Sequence, residues 1–362
     1  MRCRHVMSLF LSAGCLLGAS EATTLKEAHG RAFALGAAIP GLGLNTNEQS
    51  LLARNFTTVT PENCFKPKAI HPDANRYDFR QADALVTLAR RHGLTVNAHT
   101  LVWHEACPDW FFTDDGKPAD RDLVLKRLRD HIATVAGHFA GQVASWDVVN
   151  EAIADGKPEN YLRPTRWLKA LGPDYLAEAF RAARKADPSA KLYYNDYEIE
   201  VPVKRTKALR LIKELRAQGV VVDGIGIQGH WVLDHIPFQE IEASLIAFHA
   251  EGLAVAISEL DLDPVPRHHG GADTAAREKG GDPAAGGLTP NQQQRLAEQY
   301  GRLFALFRKH QNKIARVTFW GLHDGRSWLN TWPWKRTNHP LLWDRDLRAK
   351  PALTAVLAAG QP

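Results

Sequence analysis

Two glutamates stand where apolar, β-rich runs give out: Glu151 in Ser145-Trp-Asp-Val-Val-Asn-Glu-Ala-Ile153 and Glu259 in Leu253-Ala-Val-Ala-Ile-Ser-Glu-Leu-Asp261. Read as the closing residues of buried strands, both point their carboxylates into the mouth of a barrel. A pair of carboxylates there can work on an acetal, one giving a proton to the leaving oxygen and the other attacking or acting as base. A single strand-end glutamate is as readily the ion-pair partner of a nearby Lys or Arg, so the company these two keep decides the reading.

That company is polar and aromatic in a way a plain core would not be. One strand end carries Thr60-Pro-Glu62-Asn63 with Lys66 just beyond, and the next runs into His99-Thr-Leu-Val-Trp103-His104. Others bring Trp146 and Asn150 beside Glu151, then Gln228 and His230, then Asp261 beside Glu259, and finally Trp320 and Trp328. Sugars are held by this mixture, with flat aromatic faces against C–H surfaces and fixed amide, carboxylate and imidazole groups on hydroxyls.

Placing such residues requires a repeating frame. Short β-rich runs (Phe33–Ile39, Thr57–Val59, Thr95–Leu101, Ser145–Asn150, Leu192–Asn195, Ile225–Gln228, Val255–Glu259 and Val317–Trp320) alternate with longer stretches of helical period. The latter include Gln81–His92, Arg121–Phe139, Tyr175–Ala186, Lys204–Gln218, Phe238–Ala250 and Asn291–Lys313. Eight strands, each followed by a crossover, predict an α/β fold, a single (β/α)8 TIM barrel. A doubly wound open sheet would want a glycine-rich phosphate loop after its first strand, and Gly41-Leu-Gly43 is too little for that. Arg267 to Pro290, rich in Gly, Ala, Asp and Pro, predicts a long loop after strand seven, either a solvated excursion or a rim of the cleft.

The chain has 362 residues, 44% apolar and 23% charged, which fits one large or two medium globular domains, and holds no apolar run long enough to span a membrane. Its first 22 residues read as an export signal: Arg2 and Arg4, an apolar core from Val6 to Gly18, then Ser20-Glu21-Ala22 as cleavage site. The expectation is a secreted or periplasmic protein whose domain is 23–362. A lipid anchor at Cys15 fits poorly, because Ser12 stands where a lipoprotein site usually has Leu. Cleavage takes the net charge from +5 to +4, and Lys and Arg are scattered rather than striped, which argues against nucleic acid as a partner. Cys64 and Cys107 would remain; neither sits in a metal spacing, so no zinc is expected, and since they fall just past two successive strands, either a disulfide between adjacent loops or two free thiols is open.

The runs Thr60-Pro-Glu-Asn63, His99-Thr-Leu-Val-Trp-His104, Trp146-Asp-Val-Val-Asn-Glu-Ala152, Gly226-Ile-Gln-Gly-His230, Ile257-Ser-Glu-Leu-Asp261 and Phe319-Trp-Gly321 resemble, in order and over nearly the whole chain, those of the family 10 glycoside hydrolases, the endo-β-1,4-xylanases. The resemblance implies a usually secreted barrel enzyme that acts on xylan and xylo-oligosaccharides with retention of configuration and needs no cofactor; beside it, a monomer without a metal is expected. It assigns Glu151 as acid/base and Glu259 as nucleophile, oriented by His230 and Asp261. An acid must arrive protonated, which apolar surroundings and a neighbouring negative charge would favour. Asn150 and Gln228 would bind hydroxyls at the cleavage point, while Glu62, Asn63, Lys66, His99 and Trp103 would hold the sugars on its non-reducing side, walled by Trp320 and Trp328. His104, Trp146, Asp147, Tyr194, Asn195 and Asp196 are expected in packing or supporting roles.

The chain departs from the pattern at Ala106, where relatives often carry a Gln that crowds the hydroxymethyl position of glucose, at Pro67, and at Ala98. Lost bulk at Ala106 bears on the strictness of xylose over glucose, not on hydrolysis.

Overall fold

The computed structural model describes residues 23–265, 282 and 284–361. The export signal with Cys15, and most of the segment Arg267–Pro290, lie outside the described residues. Eight parallel strands form the frame: β1 (Ala34–Ile39), β2 (Thr58–Pro61), β3 (Thr95–Trp103), β4 (Ser145–Asn150), β5 (Lys191–Asp196), β6 (Gly224–Ile227), β7 (Ala254–Asp263) and β8 (Ile314–Phe319). Each pairs with the next in sequence, and β8 pairs with both β7 and β1 (Leu35 opposite Val317), which closes the sheet into the expected barrel.

A helix follows each strand: α1 (Thr46–Asn55), α2 (Arg80–Arg91), α3 (Arg121–His138), α4 (Asp174–Ala186), α5 (Pro202–Ala217), α6 (Phe238–Ala250), α7 (Pro290–Lys309) and α8 (Pro351–Ala358). Local chemistry starts them. Asn45 and Glu48 cap α1 reciprocally, Thr289 and Gln292 do the same for α7, and proline supplies the first turn of α5 and α8. The predicted helix Asn291–Lys313 is shorter than expected, because α7 ends at Lys309 and the chain must turn before β8 begins at Ile314.

Apolar strand faces pack outward on these helices; Phe319 of β8 stacks on Phe304 of α7 with ring centroids 5.9 Å apart. The lumen instead carries a polar layer near its floor. Asn97 donates to Thr58 at 2.5 Å, Ser145 donates to Asn97 at 2.8 Å, and Arg316 reaches Ser145 at 3.4 Å. Since β4 and β8 are not neighbours in the sheet, the last contact crosses the barrel interior.

One strand end differs from the expectation. Glu259 does not close β7, which continues to Asp263. The pairing of β7 with β8 shifts register between Ile257 and Leu260, the irregularity of a bulge. It lets two consecutive side chains, Ser258 and Glu259, face the same partner, Asn195.

Candidate active site

Glu151 follows the last residue of β4 and is partly buried, with φ +59°. Its carboxylate accepts from Trp103 Nε1 at 2.9 Å, from Asn150 Nδ2 at 3.0 Å and from Gln228 Nε2 at 2.9 Å. The expected apolar surroundings of this group are therefore corrected to polar ones: three N–H donors from β3, β4 and the loop after β6 converge on it.

Glu259 is 5% exposed and held from two sides. Asn195 Nδ2 donates to Oε1 at 2.6 Å, and His230 Nε2 lies 3.0 Å from Oε2. The same Asn195 amide donates to Asn150 Oδ1 at 2.9 Å. Two side-chain amides thus bridge the carboxylates, so neither can be displaced without moving the other. Asn195, expected only to support, touches Glu259 directly; the bulge that brings β7 round to it leaves no trace in the sequence.

His230 begins a short strand, His230–Val232, that pairs with the tip of β7 and sets it opposite Asp261. Its Nδ1 lies 3.1 Å from Asp261 Oδ1, and Trp328 Nε1 donates to the other Asp261 oxygen at 2.7 Å. Burial alone would lower the imidazole, but the Asp261 charge and the contacts to Asp261 and Glu259 reverse this and hold it at about 9. Burial would likewise raise Glu259, but the His230 bond, the His99 and His230 charges and the Asn195 bond leave it below the ordinary carboxylate range. Near neutral pH the site thus holds an ionised Glu259 against an imidazolium.

The other predicted residues surround these two. Lys66 Nζ donates to Asn63 at 2.9 Å and sits 4.9 Å from the Trp103 ring centre. Burial lowers Lys66, opposed by the charges of Glu259, Glu62 and Glu151. Burial also raises Glu62, against the pull of Lys66. His99 is locked by Asp147 at 3.0 Å and meets Trp320 edge-on, with centroids 5.3 Å apart. Trp320 is 5% exposed and Trp328 partly buried, the latter stacked on Trp332 at 4.7 Å. Gln228 and Asn150 are both buried against the carboxylates. Ala106 is partly buried, and its carbonyl accepts from Lys68 N at 2.9 Å.

Cys64 and Cys107 are free thiols, both buried. Burial pushes Cys64 up to about 12 and Cys107 higher still, so neither is a ready nucleophile. Among the described residues, no group of three His, Cys, Asp or Glu is arranged to hold a metal, and no helix is long and apolar enough to cross a membrane.

A closed parallel barrel with two bridged carboxylates, one just past the end of β4 and one in the C-terminal half of β7, walled by indoles, defines a glycoside hydrolase of the paired-carboxylate class. The model of the family described as glycosyl hydrolase family 10 matches residues 24–359, and the chain belongs to that family. It is 39% identical over 349 residues to endo-1,4-beta-xylanase A of Xylanibacter ruminicola, covering 94% of each chain. It is 37% identical over 341 residues to an endo-1,4-beta-xylanase of Geobacillus stearothermophilus, covering 93% of this chain and 99% of that one. Among solved structures, xylanase XynB of Paenibacillus barcinonensis superposes with a TM-score of 0.86 at 37% identity, covering 94% of this chain and 99% of the other.

Proposed function

We propose that this protein is an exported endo-1,4-β-xylanase that cuts internal bonds of xylan by double displacement with retention. The observation that carries the reading is the asymmetry between the bridged glutamates: Glu259 lies against an imidazole backed by Asp261, whereas Glu151 meets only neutral N–H donors. A carboxylate held ionised suits attack on the anomeric carbon, which leaves Glu151, on the other side of the amide bridge, as the group that moves the proton.

In the first step Glu259 attacks the anomeric carbon while Glu151 protonates the departing glycosidic oxygen, giving a glycosyl-enzyme ester. In the second, Glu151 takes a proton from water, which displaces Glu259. Asn150, Gln228 and Asn195 lie between the two carboxylates and are positioned for the hydroxyls of the sugar being cut. Lys66, Asn63, Glu62 and His99 extend the polar floor, with Trp103, Trp320 and Trp328 as walls. Export rests on the N-terminal basic and apolar segment with its Ala22 cleavage site.

The test is mass spectrometry of products from the purified mature protein on xylan and on a soluble β-1,4-glucan, beside Glu259→Ala. Pentose oligomers from xylan, abolished in the folded variant, are expected. Hexose oligomers as the main product would replace xylan by glucan as the substrate, the outcome to which the small side chain at Ala106 would contribute. Unchanged turnover in Glu259→Ala would overturn the mechanism.

A further inference from the structure

Glu151 has a left-handed backbone, φ +59°, an uncommon state for a residue that carries a Cβ and one that persists only where its surroundings fix it. The stretch Glu151–Ala154 lies outside the helices and strands, with one isolated bridge between Ile153 and Leu162, so no regular ladder satisfies its peptide groups. Each is nonetheless paired. The Glu151 N–H donates to Asn195 O at 2.9 Å, the Ala154 N–H to Tyr161 O at 3.0 Å, and the Arg163 N–H to Ala152 O at 2.8 Å.

Side chains take the rest. The Tyr194 hydroxyl oxygen accepts from both Ala152 N (3.0 Å) and Ile153 N (3.1 Å), so two successive N–H groups converge on one atom. The Arg163 guanidinium donates to Glu151 O at 3.0 Å and to Ile153 O at 3.2 Å, and Lys207 Nζ closes the series on Ala154 O at 2.9 Å. Tyr194 is itself anchored: its hydroxyl donates to Asp196 Oδ2 at 2.5 Å, and the other Asp196 oxygen meets Lys204 Nζ at 2.9 Å. A hydroxyl that donates to a buried carboxylate is the better acceptor for the two amides.

We infer that Tyr194 and Arg163 are positioning residues, a two-sided clamp that holds Glu151 in its left-handed turn and so keeps its carboxyl aimed at the leaving oxygen. Neither touches the carboxyl; both act through the backbone on either side of it. The inference rests on the reading of Glu151 as acid/base. Misaiming an acid has a signature that loss of fold does not: it slows only those cleavages that need the proton.

The experiment compares kcat/KM on xylohexaose, whose sugar leaving group must be protonated, with kcat/KM on dinitrophenyl β-xylobioside, whose phenolate leaves unaided. Tyr194→Phe and Arg163→Met in the full mature chain are expected to lose tenfold or more on xylohexaose and less than threefold on the aryl glycoside. Their kcat on the aryl substrate should fall, because Glu151 is also the base of the second step. Equal losses on both substrates, or none on either, would overturn the clamp. Should Tyr194→Phe fail to melt cooperatively, Arg163→Met, whose side chain is 20% exposed, decides the matter. Glu151→Ala, measured alongside, separates the two ideas. If it shows no split the acid/base reading fails; if it splits and the clamp variants do not, the clamp fails.

Discussion

At the scale of single residues, His230 governs the site from behind the nucleophile. It places a cation against Glu259, and Asp261 and Trp328 keep the ring from turning away. Glu259 is held below its ordinary range in the fold, so the ionised form persists to lower pH than a free glutamate allows. The acidic limb of kcat/KM should accordingly fall below pH 4.5. His230→Asn removes the charge and the imidazole bond. The limb should move upward and kcat/KM should drop by about 100-fold, the scale of losing one preorganised electrostatic partner. A pH–rate profile of the variant with an unmoved limb would refute this account of Glu259.

At the scale of elements, the loop after β8 must be pinned for Trp328 to reach Asp261. Arg336 does this: Nη2 bonds Asp263 on β7 at 2.7 Å while Nε donates to Leu329 O at 3.0 Å, and both charged side chains are fully buried. Asn338 Nδ2 adds a bond to the second Asp263 oxygen at 2.8 Å. A buried pair is weak evidence of net stability, yet removing one partner strands the other charge, at a cost of about 3–5 kcal/mol. Arg336→Met should lower the unfolding free energy in urea by that amount and raise KM through a loosened Trp328. A change below about 1 kcal/mol would mean that Asp263 finds other compensation.

At the scale of the whole molecule, stability should follow pH through imidazoles of opposite sense. Burial drops His71 to about 4, and burial with the adjacent His71 charge drops His131 to about 3; their Nδ1 atoms lie 3.0 Å apart. Folded values below the free imidazole mean that this contribution is present above about pH 6.5 and is lost on acidification. Glu48, held at about 2 by Arg326, His323 and Asn45 against the effect of burial, adds to the acid loss below 4.5. His230 runs the other way, since its raised value gives stability that is complete below about pH 6.5 and lost as pH climbs through 9. Calorimetry should therefore find Tm falling between pH 6.5 and 4, and falling less steeply in His71→Gln. Parallel slopes for the two proteins would remove the histidine pair as the cause.

The frame and most of the site were legible in the sequence because they follow from local pattern. Continuous apolar runs between amphipathic stretches can close only as parallel strands under helices, and polar residues at the ends of such runs have nowhere to project but the barrel mouth. Glu62, Asn63, Lys66, His99, Trp103, Asn150, Glu151, Gln228, His230, Glu259, Asp261, Trp320 and Trp328 were singled out at or just beyond the ends of those runs, and their expected roles came from the family resemblance. What the sequence left undecided depends on contacts between distant strands. The β7 bulge that turns Glu259 onto Asn195 is a difference in register between two strands, invisible in either alone. The polar shell of Glu151 is assembled from β3, β4 and the loop after β6, and its left-handed backbone is held by Tyr194 and Arg163, which lie 43 and 12 residues further along the chain. Residue types and their periodicity determined which chemistry could be done; only the closed barrel decided which groups meet, because a hydrogen bond is satisfied by geometry and not by adjacency in sequence.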